Sequence, residues 1–180
     1  MNRDYRRIVT GEDVNGKSCV LSDGLVTNGY GQPEVLDVYP LWSSGSNLRI
    51  PYRKGDFEVE QADSKKLLPE LGGTNFVVEI AWPDKEDYDH NDAKEMFKSL
   101  NAESALMASD DAAHTGMHRT DTLDYLIILS GEIYMLLENE EVLLSKGDTV
   151  VQSGVAHSWS NRSSEPCVIL AVVVGADRQA

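Results

Sequence analysis

The chain is short of cysteine and of positive charge, and it has no long apolar run. Its two cysteines, Cys19 and Cys167, lie too far apart for a CxxC metal or redox pair, and they do not make a secreted disulfide framework. Cys167 sits in the run Cys167-Val168-Ile169-Leu170, where it reads as a small buried hydrophobe. Lys and Arg total 16 against 30 Asp and Glu, a formal net charge of −14. A field of that sign repels phosphate backbones and anionic lipid surfaces, so neither nucleic acid nor membrane is an expected partner. The longest apolar run, Val168 to Val174, is far short of a membrane span. Met1 to Arg7 carries no apolar stretch of the kind a signal peptide needs, and a cytoplasmic location is expected. A glycine-rich phosphate loop and a nucleophile-elbow serine are both missing, so no nucleotide cofactor is expected.

What is present suits a single globular unit. The chain has 180 residues with 41% hydrophobic and 26% charged content, enough for one sizeable core and too little for two. Its second half is a series of short β-branched and aromatic runs separated by turn signals. These are Asn75–Trp82, Leu123–Leu129, Ile133–Leu137, Val142–Leu144, Thr149–Gln152, His157–Asn161 and Cys167–Val174. Such punctuation predicts an all-β sandwich or barrel rather than alternating strands and helices. One helix interrupts it, with Asp92 and Glu95 as a capping box and Ala93, Met96, Phe97 and Leu100 as its apolar face. A second helical stretch is read at Ala102–Met107. In the first half, Arg6–Thr10 and Lys17–Leu21 form a hairpin around Asn15-Gly16, and Glu34–Trp42 is a strand holding Pro40. Ser43 to Gly73 is turn-rich with weak periodicity. The organisation is therefore read as one domain over 1–180, with strands and loops of 1–74 added to a barrel core at 75–175.

Chemistry concentrates in two segments. Between Gly116 and Tyr125, residues His118, Thr120, Thr122 and Asp124 fall at even spacing, so an extended chain turns all four to one side. Leu126 and Ile128 continue that face as apolar residues. Between Gly147 and Asn161, residues His157, Trp159 and Asn161 share a face after a glycine turn. Two polar strand ends, each with a histidine on the inward parity, form a pocket if they converge. Gln152 and Trp159 are further candidates to touch a ligand. Tyr125 has the opposite parity, and Arg119 points away from His118.

These segments resemble the two motifs of the cupin superfamily. Gly147 opens the second motif, and Gly154, His157 and Asn161 carry its G(X)2H(X)3N end, with Ser153 near the usual proline. In the first motif His118 takes the first histidine and Gly131 the closing glycine. Thr120 stands where the family has a second histidine, Asp124 where it has glutamate, and Ala112 where it has the opening glycine. The resemblance covers roughly residues 75 to 175. It implies a double-stranded β-helix, the jelly-roll barrel, and a divalent metal (Fe, Mn or Zn) held by His118, Asp124 and His157. It also implies catalytic roles for His157 and Asp124, with Thr120, Gln152, Trp159 and Asn161 against a small-molecule ligand. A competing reading has His118 hydrogen-bonded at a strand start and Asp124 satisfied by Arg119 or Thr122, leaving a metal-free pocket. The two functional expectations are a cupin enzyme acting on a small organic metabolite and a non-catalytic ligand-binding or sensor cupin. A homodimer is expected through the outward residues Tyr125, Ile127 and Leu129 together with Val168–Val174, which alternatively pack under the N-terminal half.

Overall fold

The computed structural model describes residues 5–55 and 66–179. Eleven strands and one helix follow each other along these residues: β1 (Tyr5–Glu12), β2 (Ser18–Val26), β3 (Tyr30–Gln32), β4 (Leu36–Ser44), β5 (Thr74–Ala81), α1 (His90–Ser99), β6 (Thr122–Ser130), β7 (Glu132–Leu137), β8 (Glu141–Ser145), β9 (Thr149–Gln152), β10 (His157–Ser160) and β11 (Cys167–Gly175). The strands form a six-stranded sheet in the order β3-β4-β5-β11-β6-β9, a three-stranded sheet β10-β7-β8, and a separate β1-β2 hairpin. All the paired strands are antiparallel. The two larger sheets enclose a shared core, which fits the sandwich or barrel read from the strand spacing and the jelly-roll that the resemblance implied.

Alternation decides what enters that core. Odd residues of β5 and β11 and even residues of β6 point inward, so Val77, Ala171 and Leu126 lie side by side, as do Ile169 and Ile128. Ile133 and Leu144 close the core from the three-stranded sheet. Phe97 and Leu100 of the helix end and Ala102 and Ala105 of the connection behind it belong to the same cluster, so α1 caps one end of the barrel. Gly131 makes the β6–β7 turn at φ +78, and a Cβ there would stand 2.7 Å from the Pro166 carbonyl oxygen. Only glycine meets both demands.

Two local readings of the sequence are corrected. The helix begins earlier than Asp92. Asp89 is the N-cap, accepting from the backbone N–H of Asn91 and Asp92, while Asp92 fills the third helical position and accepts from the Asp89 N–H. Asp-x-x-Asp closes the same reciprocal pair as Asp-x-x-Glu, so the first of two overlapping boxes wins. The stretch read as helical at Ala102–Met107 is a single 3-10 turn at Glu103–Ala105. It is too short to propagate, and its next residues pair with the chain around His118 instead.

The first half partly covers the barrel's outside. Tyr39, Val78, Ile80 and Val168 make a second buried cluster, packed by Tyr5, Leu41, Trp82 and Leu170. Tyr5 meets Tyr39 edge-on at 5.1 Å between ring centres. Hence the outward face around Val168 and Leu170 packs under the N-terminal half, whereas Tyr125 and Leu129 stay exposed. Of the turn-rich stretch 43–73, residues 56–65 lie outside the described residues. Among the described residues no helix is long and apolar enough to cross a membrane.

Candidate functional site

His118 stands on an isolated bridge before β6 begins, directly opposite His157, the first residue of β10. The two backbones exchange both hydrogen bonds, N–H of 118 to the oxygen of 157 at 2.8 Å and the reverse at 3.0 Å. Opposed residues in an antiparallel pair send their side chains to one side, so the imidazoles come together with ring centres 4.1 Å apart. Phe97 lies 4.9 Å beyond His118, and Trp159 meets His157 edge-on at 5.7 Å. Four rings thus line one wall of a cavity of about 350 Å³ between the sheets.

Each imidazole is oriented by its own backbone. Nδ1 of His118 donates to the Gly116 carbonyl at 3.0 Å, and Nδ1 of His157 to the Val155 carbonyl at 2.9 Å. With the proton on Nδ1, each Nε2 carries a lone pair. Burial pushes the His118 pKa down to about 3, the neighbouring His157 adds to the shift, and the Gly116 carbonyl opposes it. Burial lowers His157 as well. Both rings are therefore neutral bases at neutral pH.

Two carboxyl side chains line the same cavity. Asp124 faces the cavity from β6, only 9% exposed, and its Oδ1 is buried without a hydrogen-bond partner. Burial lifts its pKa to about 6 against a lowering contribution from the Thr122 hydroxyl, which also donates to Thr120 Oγ1 at 2.8 Å. Glu79 reaches the same cavity from β5, on the far side of β11, and burial and then the Asp124 charge raise it to about 7. Sequence reasoning missed Glu79. The signal was present, since it is the one charged residue on the inward parity of an otherwise apolar strand. Close to Glu79, the buried Tyr30 hydroxyl has no hydrogen-bond partner, and burial together with that carboxylate raises its pKa.

The other expected residues divide. Thr120, Trp159 and Asn161 line the cavity, but Gln152 does not. Gln152 on β9 pairs directly opposite Asp124 and is buried, but its amide turns to the Val155 carbonyl at 3.5 Å. Asn161 lines the wall with its amide already committed. Its Nδ2 donates to the carbonyls of Ala81 and Glu165 at 3.0 and 2.9 Å, and its Oδ1 accepts from the Ser163 N–H and hydroxyl at 3.1 and 2.7 Å. Such an amide shapes the turn and has nothing left for a ligand. His114 and Lys85 also line the cavity, whereas Arg119 is an exposed residue outside it.

The expected metal set is not assembled. Among the described residues no three His, Cys, Asp or Glu side chains gather closely enough to hold an ion. His118 and His157 converge, but the chain bends at Asp121 before β6 starts, and Asp124 sits inside the strand between Val173 and Gln152. The site offers two imidazole nitrogens without the third protein ligand that the sequence pattern implied.

Residues 106–173 match the family model described as the cupin domain. Over that stretch the chain is similar to the cupin superfamily. Among curated proteins, phomopsin biosynthesis cluster protein C' of Diaporthe leptostromiformis is 48% identical over 48 residues, 26% of this chain and 25% of the relative. The cupin-domain-containing oxidoreductase virC of Hypocrea virens is 41% identical over 46 residues, 25% of this chain and 24% of that one. The matched region thus spans about a quarter of the length of these relatives. Among solved structures, a cupin 2 conserved barrel domain protein from Salinispora arenicola is 14% identical with a TM-score of 0.36, covering 56% of this chain and 62% of that one. A sugar phosphate isomerase from a cupin superfamily of Silicibacter pomeroyi is 9% identical with a TM-score of 0.40, covering 77% and 59%.

Proposed function

We propose that this protein binds a small organic molecule between its sheets and moves a proton on it, with His157 as the base and Asp124 or Glu79 as the returning acid. One observation carries this reading: neutral imidazoles and carboxyls held near pH 6 to 7 face a single cavity. A base is effective when it is unprotonated at working pH, and an acid when part of it still holds its proton there, which Glu79 near 7 does to a larger extent than Asp124 near 6. The aromatic wall suits a flat, partly apolar substrate. Names of the curated relatives, drawn from biosynthesis clusters and an oxidoreductase, agree with action on a small metabolite.

Proton transfer is testable without the natural substrate. Benzoylacetone, an aromatic carbon acid, is expected to exchange its central hydrogens for deuterium faster with the native protein than with His157→Ala, by about 100-fold as proton NMR reads it. No acceleration by the native protein overturns the reading and leaves a ligand-binding module.

A second reading, a divalent metal on the histidine pair, is favoured by the Nδ1 anchoring of both rings, which leaves each Nε2 able to ligate. Among the described residues it lacks a third protein ligand. Elemental analysis of protein purified without chelator is therefore expected to find Fe, Mn and Zn well below one per chain. Stoichiometric metal that disappears in both His118→Ala and His157→Ala would instead establish the metal-dependent form.

A further inference from the structure

The cavity's charge is unbalanced. Asp124 and Glu79 both face it, and among the described residues neither has an ion-pair partner. Asp124 Oδ1 is buried with no donor reaching it. A carboxylate oxygen taken out of water without a donor is costly, so the site is built to receive one from outside the chain. The neighbouring groups do not meet that need. Thr122 has a single hydroxyl proton, and Thr120 Oγ1 is within its reach. The two imidazoles have spent their N–H groups on backbone carbonyls and present only lone pairs. Lys85 and His114 also line the cavity, but among the described residues neither forms an ion pair with Asp124 or Glu79. Phe97, Trp159 and the histidine rings line the same cavity and offer faces to an apolar or aromatic body and, through their π clouds, to a cation.

The geometry points to an organic ammonium as this cavity's ligand: a protonated amine seated at Asp124 and Glu79, carried on an apolar or aromatic body packed against the ring wall. This rests on the small-molecule reading of the site and narrows it to one substrate class. The ammonium supplies N–H donors to the unpartnered Asp124 oxygen, and its charge favours the ionised form of both carboxyls once it is seated. A carboxylate ligand of the same shape would bring a negative charge against two carboxyls, and an alcohol would bring one donor and no charge.

Three probes of matched skeleton separate these cases: phenethylamine, 2-phenylethanol and phenylacetate, titrated into the full chain by calorimetry at low ionic strength. Phenethylamine is expected to bind at least about 10-fold tighter than either of the others. Asp124→Asn and Glu79→Gln should each weaken it by about 10-fold while leaving 2-phenylethanol unchanged. Placement in this cavity is read from the amine's effect on tryptophan emission, which should vanish in Trp159→Phe. Equal affinity for amine and alcohol overturns the charge preference and leaves the small-molecule site intact. Tighter binding of phenylacetate, no binding of the amine, or amine binding indifferent to Asp124→Asn and Glu79→Gln also overturns it.

Discussion

At pH 8 the Glu79→Gln protein is expected to be about 2 kcal/mol more stable than the native chain, with the advantage gone by pH 4. Glu79 titrates near 7 in the fold and near 4.5 when the chain is unfolded. Between those values the folded state keeps a proton that the unfolded state has released, so folding stability falls as pH rises through that window. Above it the whole penalty is present. Converted at 1.36 kcal/mol per pKa unit the shift amounts to about 3 kcal/mol, and water entering the cavity beside this partly exposed side chain reduces it to about 2. Glutamine keeps the shape and removes the ionisation. Asp124 acts with the same sign between 3.8 and about 6. His118 acts oppositely, because its pKa falls from 6.5 to about 3 and the unfolded chain binds the proton first, so that contribution rises with pH. The native profile is accordingly shallow from about pH 4 to 6.5, and the variant should climb more steeply across it. Urea midpoints at half-unit steps of pH measure both curves. A difference between them that does not change with pH would show that Glu79 is not held protonated.

Asn161→Ala is expected to cost about 3 kcal/mol, lowering the midpoint of thermal unfolding by roughly 10 °C. The residue is 2% exposed and joins three parts of the chain. Its side chain ties the end of β5 at Ala81 to the turn at Ser163 and Glu165, and its backbone N–H donates to Asp84 Oδ1 at 2.9 Å. Removing the amide leaves the Ala81 carbonyl without that donor in a buried setting, at about 1–3 kcal/mol for the first such group and less for those water can reach. Because Asp84 and Asn161 both line the cavity, the loosened turn should also weaken ligand binding. Thermal unfolding followed by circular dichroism measures the stability loss. Full stability with ligand affinity lost would return Asn161 to the role of a ligand contact.

Much of the barrel was legible because its strands obey a two-residue period with clear turn chemistry. Thr149–Gln152 forms as read, and β6, β7, β8, β10 and β11 fall within a residue of the runs that announced them. The β1–β2 hairpin was visible in Asn15-Gly16, with Gly16 at φ +73. The pairing of His118 with His157 was legible only as shared parity, since parity states which side a residue faces and not which distant strand it meets. Asp124 shows that limit. Even spacing placed it with His118, and a bend at Asp121 separated the two. Glu79 was hidden for a different reason: it belongs to neither motif, and one charge in an apolar strand declares nothing until β11 brings β5 and β6 to either side of it.

The sequence by itself determined the class of fold, the inward faces of its strands and the two histidines worth following, because alternation and turn residues act over a few neighbours. Only the tertiary structure decided that those histidines meet, that Asn161 organises a turn, and that two carboxyls share one cavity with an aromatic wall. Each of these depends on strand register over tens of residues, which is set by packing of the whole core and not by any local preference.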